Sequence, residues 1–187
     1  MKRVIIVHGF GGWPNGGWRA WLMVELDKLE TYGCAIPLPD ENNPDPKKWV
    51  EAIEYHVNMY REDDVYLVGH SLGSTAILRY MEAKKAKLAG VVLVSAPIES
   101  VENKKITNFL SNPFDFKKIK KGAKQFLIIH GADDQRVSVS QAIKLAHNLG
   151  VSPQLIKNGG HLTGSEGWKE LPQVLEGLIN MFKIATK

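Results

Sequence analysis

Val65-Tyr66-Leu67-Val68-Gly69-His70-Ser71-Leu72-Gly73-Ser74 joins an apolar, β-branched run to a helix-forming segment, Thr75 to Ala83, through Gly-His-Ser-Leu-Gly. A short apolar run of this kind reads as a strand buried on both faces. Strand, G-x-S-x-G and helix in that order spell a nucleophile elbow. So tight a turn leaves no room for side chains two residues before and after its serine, which suits Gly69 and Gly73. Ser71 is then pushed out at the carboxyl edge of a sheet. The helix behind it points its N-terminus at the same spot, and the Leu72 N–H is free to donate to a developing oxyanion.

Outward from the elbow, short apolar strands alternate with helical stretches. Arg3 to His8 reads as a buried strand, and the glycine-rich loop Gly9 to Gly17 follows it. That loop is not a dinucleotide or phosphate cradle: Pro14 stands where G-x-G-x-x-G needs its last glycine, and no Gly-Lys-Ser/Thr follows. His-Gly-x-Gly after the first strand instead suits a second oxyanion donor, assigned to the Phe10 N–H. Trp18 to Leu29 reads as a helix, with Trp21 in its apolar stripe, and Tyr32 to Leu38 as a strand. Asp45 and Pro46 open a helix to about Tyr60, and Asp63 or Asp64 turns the chain into the elbow strand. Further strands are expected at Leu88–Val94, Gln125–His130 and Pro153–Ile156. Helices are expected from Ser138 or Ser140 to Leu149, stopped by Gly150, and from Trp168 to Ile184. This predicts a three-layer α/β/α fold: a mostly parallel sheet of about six strands with helices on both faces. Residues 1–187 form one expected domain, with a small cap segment at 99–121.

The chain of 187 residues carries a formal charge of +4, and its lysine clusters read as solvated faces. No nucleic-acid or membrane role is therefore expected. No segment approaches the ~18 apolar residues of a membrane span. The lone Cys34 is expected to be a buried small hydrophobe, and the compartment to be the cytoplasm.

In an open parallel sheet, functional groups gather beyond the carboxyl ends of the strands. The loops there contain Ser71, Asp134 and His161, in the order Ser…Asp…His. A serine hydroxyl needs a base, and the base needs an acid that fixes its tautomer. Gly131-x-x-Asp134-x-x-Val137 has the spacing of an acid loop, so Asp134 is preferred to Asp133, which is left to brace the turn. Gly159-Gly160-His161 after the last strand supplies the base. His8 and His130 read as structural strand-end histidines, and His70 as packing beneath the elbow. No histidine or cysteine spacing suggests a metal, and no cofactor is expected. Trp13 and Trp168 flank the site loops as pocket candidates.

The glycine loop with Trp18 and Trp21, Pro-Asp-Pro-Lys-Lys-Trp at 44–49, Gly-His-Ser at 69–71 and Leu-Val-Ser-Ala at 93–96 extend the pattern. So do Phe-Lys-Lys-Ile-Lys at 116–120, Asp133-Asp134, Gly160-His161 and the tail Ser165, Gly167, Trp168. Over essentially its whole length the chain resembles the small serine hydrolases grouped with retinoblastoma-binding protein nine and its bacterial relatives, within the α/β-hydrolase superfamily. The resemblance places that family's triad on Ser71, Asp134 and His161. It implies cleavage of a small carboxylic ester, with a thioester or aminoacyl amide as alternative bonds. It also leaves a second reading: a catalytically weak protein of this fold that acts through a protein partner.

Overall fold

Six parallel strands form the centre of the molecule, in a computed structural model that describes residues 2–61 and 64–184. They are β1 (Arg3–Val7), β2 (Tyr32–Ile36), β3 (Val65–His70), β4 (Gly90–Val94), β5 (Phe126–Gly131) and β6 (Gln154–Ile156). Their order across the sheet is β2-β1-β3-β4-β5-β6, every neighbouring pair being parallel. Parallel strands need covered crossovers, and helices supply them: α1 (Trp18–Lys28), α2 (Pro46–Val57), α3 (Leu72–Ala83), α4 (Thr107–Leu110), α5 (Phe116–Lys121), α6 (Val139–Leu149) and α7 (Pro172–Ile184).

Alternation along each strand divides the core in two. Ile5, Val7, Leu67, Val91, Leu93 and Ile128 face α2, α3 and α6. Val4, Ile6, Val68, Val92, Val94 and Ile129 face α1 and α7 on the other side. This is the predicted three-layer arrangement. The chain leaves β1 toward β2 and then returns to the other flank of β1 as β3. The sheet therefore changes direction between β1 and β3, and the loops leaving those two strands diverge around a crevice.

Local signals explain most element ends. The Asp45 carboxylate accepts from the Lys48 N–H at 2.9 Å, with Pro46 at the first helical position of α2. Gly150 ends α6 with φ 78°. The closing helix starts at Pro172, not at Trp168. A 3₁₀ turn over Gly164–Glu166 comes first and ends at Gly167 with φ 92°, which breaks any helix before Pro172 restarts one. Cys34 is half-buried rather than buried, because β2 is an edge strand. Asp63 lies outside the described residues.

Residues 99–121 fold as a 3₁₀ turn, α4 and α5. Their later part is anchored to α3. Arg79 Nε donates to the Phe109 carbonyl at 2.9 Å, its Nη2 donates to the Asn112 carbonyl, and Glu82 accepts from the Asp115 N–H. Phe109 is fully buried against Trp49, with ring centroids 5.4 Å apart. The earlier part, including Val101 and Ile106, turns toward the crevice and lines it.

Candidate active site

Ser71 follows β3 with φ 52° and ψ −125°, a conformation that L-residues rarely adopt and that costs about 1–3 kcal/mol. Its surroundings hold it there. The Ser71 N–H donates to the Val94 carbonyl at 2.8 Å, and Ser74 Oγ donates to the same oxygen at 3.1 Å. A Cβ on Gly69 would stand 2.5 Å from Ser74 Cα, and one on Gly73 would stand 2.4 Å from the carbonyl oxygens of Val7 and His8. Both glycines are sterically required, and α3 begins pressed against the end of β1.

Leu72 is the first residue of α3, so its N–H has no carbonyl one turn earlier to bond. Across the crevice, a Cβ on Gly9 would meet Ser71 Cβ at 3.0 Å and Leu72 N at 3.6 Å. The loop therefore passes directly over the elbow. Gly11 N–H is committed to the Glu41 carbonyl and Gly12 N–H to that of Gly9. Phe10 lies between Gly9 and these anchored amides and lines the cavity.

Ser71, His161 and Asp134 form one hydrogen-bonded chain. Ser71 Oγ lies 2.8 Å from His161 Nε2, and His161 Nδ1 lies 2.7 Å from Asp134 Oδ2. The second Asp134 oxygen accepts from the N–H groups of Arg136 at 2.8 Å and Val137 at 3.0 Å, which fixes the carboxylate plane. Burial pushes this carboxyl up. The hydrogen bond and charge of His161, with the two backbone N–H groups, outweigh that and leave it below its ordinary value. With the acid ionised, Nδ1–H of His161 donates to it and Nε2 is left to accept from Ser71.

The His161 loop is held along its main chain. Gly160 N–H donates to Asp133 Oδ1 at 3.1 Å, and His161 N–H to Glu166 Oε2 at 2.8 Å. His70 Nε2 donates to the His161 carbonyl at 3.0 Å, Trp18 Nε1 to that of Leu162 at 3.0 Å, and Trp168 Nε1 to that of Gly159 at 2.8 Å. Sequence reading did not single out Glu166. The signal was present, because Thr163-Gly-Ser-Glu166 has capping-box spacing and Glu166 Oε2 accepts from the Thr163 N–H at 3.3 Å.

A cavity of about 1530 Å³ opens on Ser71 and His161. Trp13 stands in its wall, 64% exposed. Trp168 does not line it; its indole is turned to the Gly159 carbonyl and packs on the core beside α7. Trp21, read from sequence as core, packs against the core and also lines the cavity. Among the described residues, no three His, Cys, Asp or Glu side chains are grouped as metal ligands. No helix among them is long and apolar enough to cross a membrane.

Three more histidines ring the site, each nearly or fully buried with a backbone acceptor. His8 Nδ1 donates to the Gly9 carbonyl and His130 Nε2 to that of Val137, both at 2.9 Å, besides His70 on His161. Burial is the leading cause that lowers all three, and His70 falls well below the ordinary imidazole value, with His161 and Arg19 adding to the effect. Their folded-state pKa values lie below the unfolded value near 6.5. Below that pH the unfolded chain binds protons that the native rings refuse. Stability from these rings is thus complete above pH 6.5 and is lost as pH falls through it. A ring neutral in the native state and charged in the unfolded one contributes a slope of about 1.4 kcal/mol per pH unit. Denaturant unfolding should show stability falling between about pH 7 and pH 5; a flat profile would contradict neutral buried rings.

Residues 4–180 match the serine hydrolase family. YdeN of Bacillus subtilis (strain 168) is 30% identical over 189 residues, spanning 100% of this chain and 99% of that protein. The crystal structure of the ydeN gene product superposes with a TM-score of 0.92, covering 98% of this chain and 100% of the other at 31% identity. The rat serine hydrolase RBBP9 is 24% identical over 182 residues, 95% of each chain. Est1E from Butyrivibrio proteoclasticus shares the fold, with a TM-score of 0.73 at 14% identity over 96% of this chain and 90% of the other. With its six-stranded parallel sheet and its elbow at the centre, this chain belongs to the serine hydrolase family.

Proposed function

We propose that the protein cleaves small carboxylic esters through an acyl-enzyme on Ser71, with thioesters and aminoacyl amides as the alternative bonds. The observation that carries this reading is the unbroken hydrogen-bond chain from Ser71 Oγ through His161 to Asp134. His161 Nε2 takes the Ser71 proton as Oγ attacks the carbonyl carbon. Asp134 holds Nδ1 protonated and steadies the imidazolium that forms. The N–H groups of Leu72 and Phe10 receive the oxyanion, the first as the open end of α3 and the second from the loop over the elbow. His161 then returns the proton to the leaving group, and water repeats the sequence to release the acid. Residues 99–106 act as the cap side of the pocket, with Val101 and Ile106 as its apolar wall, and Trp13 contributes at the opposite loop.

Labelling with a fluorescent fluorophosphonate tests the mechanism. The wild type is expected to label, Ser71→Ala not at all, and His161→Ala at least about a hundred-fold more slowly, since general-base assistance contributes that much or more. Labelling that survives Ser71→Ala would place the nucleophile elsewhere.

A further inference from the structure

Arg19, in the first turn of α1, is 7% exposed and lines the same cavity. Its Nη2 donates to the Trp13 carbonyl at 2.9 Å, while its Nε is buried with no partner. Among the described residues, Arg19 forms no ion pair with a carboxylate. A guanidinium taken out of water without a counter-charge carries a desolvation cost, and the contacts set against it are the Trp13 carbonyl and the Trp18 ring, whose centroid lies 6.0 Å from the guanidinium carbon. Burial lowers it to about 10, so it still carries its charge at neutral pH.

The surroundings place this charge close to the elbow. It disfavours the protonated forms of both His8, at the end of β1, and His70, beside Ser71. The glycine loop is folded over it so tightly that a Cβ on Gly16 would stand 2.6 Å from Nη2. Of the other charged residues that line the cavity, Arg136 and Lys169 are basic and Glu102 is acidic, so the excess is positive.

We propose that Arg19 is the docking point for a carboxylate carried by the substrate, so that the esters preferred are those bearing an acid group near the scissile carbonyl. A planar guanidinium with unmet donors suits a carboxylate. The carboxylate belongs either to the acyl part, as in a hemiester of a short dicarboxylic acid, or to the leaving group. This inference rests on the esterase reading of the cavity.

Two matched comparisons separate the sources. The p-nitrophenyl hemiester of glutaric acid against p-nitrophenyl butyrate tests the acyl side; 4-carboxyphenyl butyrate against phenyl butyrate tests the leaving-group side. In one of the two pairs, wild-type kcat/KM is expected to favour the acid by about 10- to 100-fold, the value of a charge-assisted hydrogen bond. Arg19→Gln is expected to reduce that ratio to near one. Equal kcat/KM within both pairs, or an Arg19→Gln protein that slows acid and neutral esters alike, would overturn the proposal and leave Arg19 as a brace for the Trp13 loop.

A binding measurement keeps the inference distinct from the mechanism. Calorimetric titration of Ser71→Ala protein with glutarate and with uncharged glutaramide needs no turnover. Glutarate is expected to bind at least about ten-fold more tightly, and the Arg19→Gln change to remove the difference. Equal binding of the two overturns the carboxylate site even where hydrolysis is intact. A wild type that neither labels with fluorophosphonate nor hydrolyses any of the esters overturns the mechanism instead, and the glutarate titration still decides Arg19. Should Arg19→Gln not fold, the comparison of glutarate with glutaramide decides it alone.

Discussion

Ser71→Ala will lower kcat for any ester the protein turns over by about a hundred-thousand-fold to a million-fold, and His161→Ala by nearly as much. The double variant will sit at the same residual rate as either single one. In the proposed mechanism the two groups act as a unit: without the base, the hydroxyl held at 2.8 Å from His161 is an ordinary alcohol, and without the hydroxyl the base has no proton to take. Asp134→Asn should cost about ten-thousand-fold, because an amide at the position 2.7 Å from Nδ1 favours the wrong imidazole tautomer. Asp133→Asn, one residue away, should cost less than about ten-fold, since among the described residues its side chain accepts only from the Gly160 backbone. Steady-state kinetics on a chromogenic ester checks all of these. Additive losses in the double variant, or equal losses at 133 and 134, would remove the triad as the explanation.

Gly131→Ala will be the most damaging methyl group that can be added near the site. A Cβ there would stand 2.0 Å from the Gly160 carbonyl oxygen and 2.9 Å from Gly159 C and Gly160 N, all of them backbone. A flexible side chain could swing away from such a clash; a main chain pinned by Asp133, Glu166 and Trp168 cannot. Overpacking of this kind costs about 3 kcal/mol, which lowers Tm by about 6–12 °C in a chain of this size. The relief that does occur must move the segment that carries His161. Activity measured well below Tm should therefore fall more than the folded fraction. A variant with unchanged Tm and unchanged kcat would show that the contact relaxes without touching the base.

The sheet was readable because its signals are local. Val65 to Val68 is a short apolar run, and the glycines at 69 and 73 are dictated by contacts within the strand–turn–helix unit and its neighbouring strand. Asp45, Pro46 and Gly150 mark helix ends within one turn of themselves. Loops that gain their meaning from partners far along the chain were harder to read. Trp168 looked like a pocket residue by its position after His161, yet a hydrogen bond nine residues back to Gly159 takes its indole away from the cavity. Trp21 fitted an apolar helical stripe and still reaches the cavity, because α1 runs along the crevice rim. Arg19 gave no local signal at all: a charged residue between two tryptophans reads as a solvated helix position until the loop from Gly9 to Gly17 is seen folded over it. The start of α7 was misplaced because Gly167 and Pro172 compete with a helical pattern that begins earlier.

The hydrogen bonds that hold the His161 loop act on peptide groups, from Gly159 through Leu162, while the imidazole bonds to Asp134 and Ser71 and packs against the His70 ring, with centroids 5.3 Å apart. Position and chemistry are thus encoded in different atoms of the same residue. A substitution of the side chain at 161 leaves every one of those peptide anchors in place. With His161 as the base, a protein so altered should keep its pocket while losing the power to complete a turnover. It is a ready-made trap: soaked with cell extracts, it should retain the natural ligand long enough for mass spectrometry to read its mass directly.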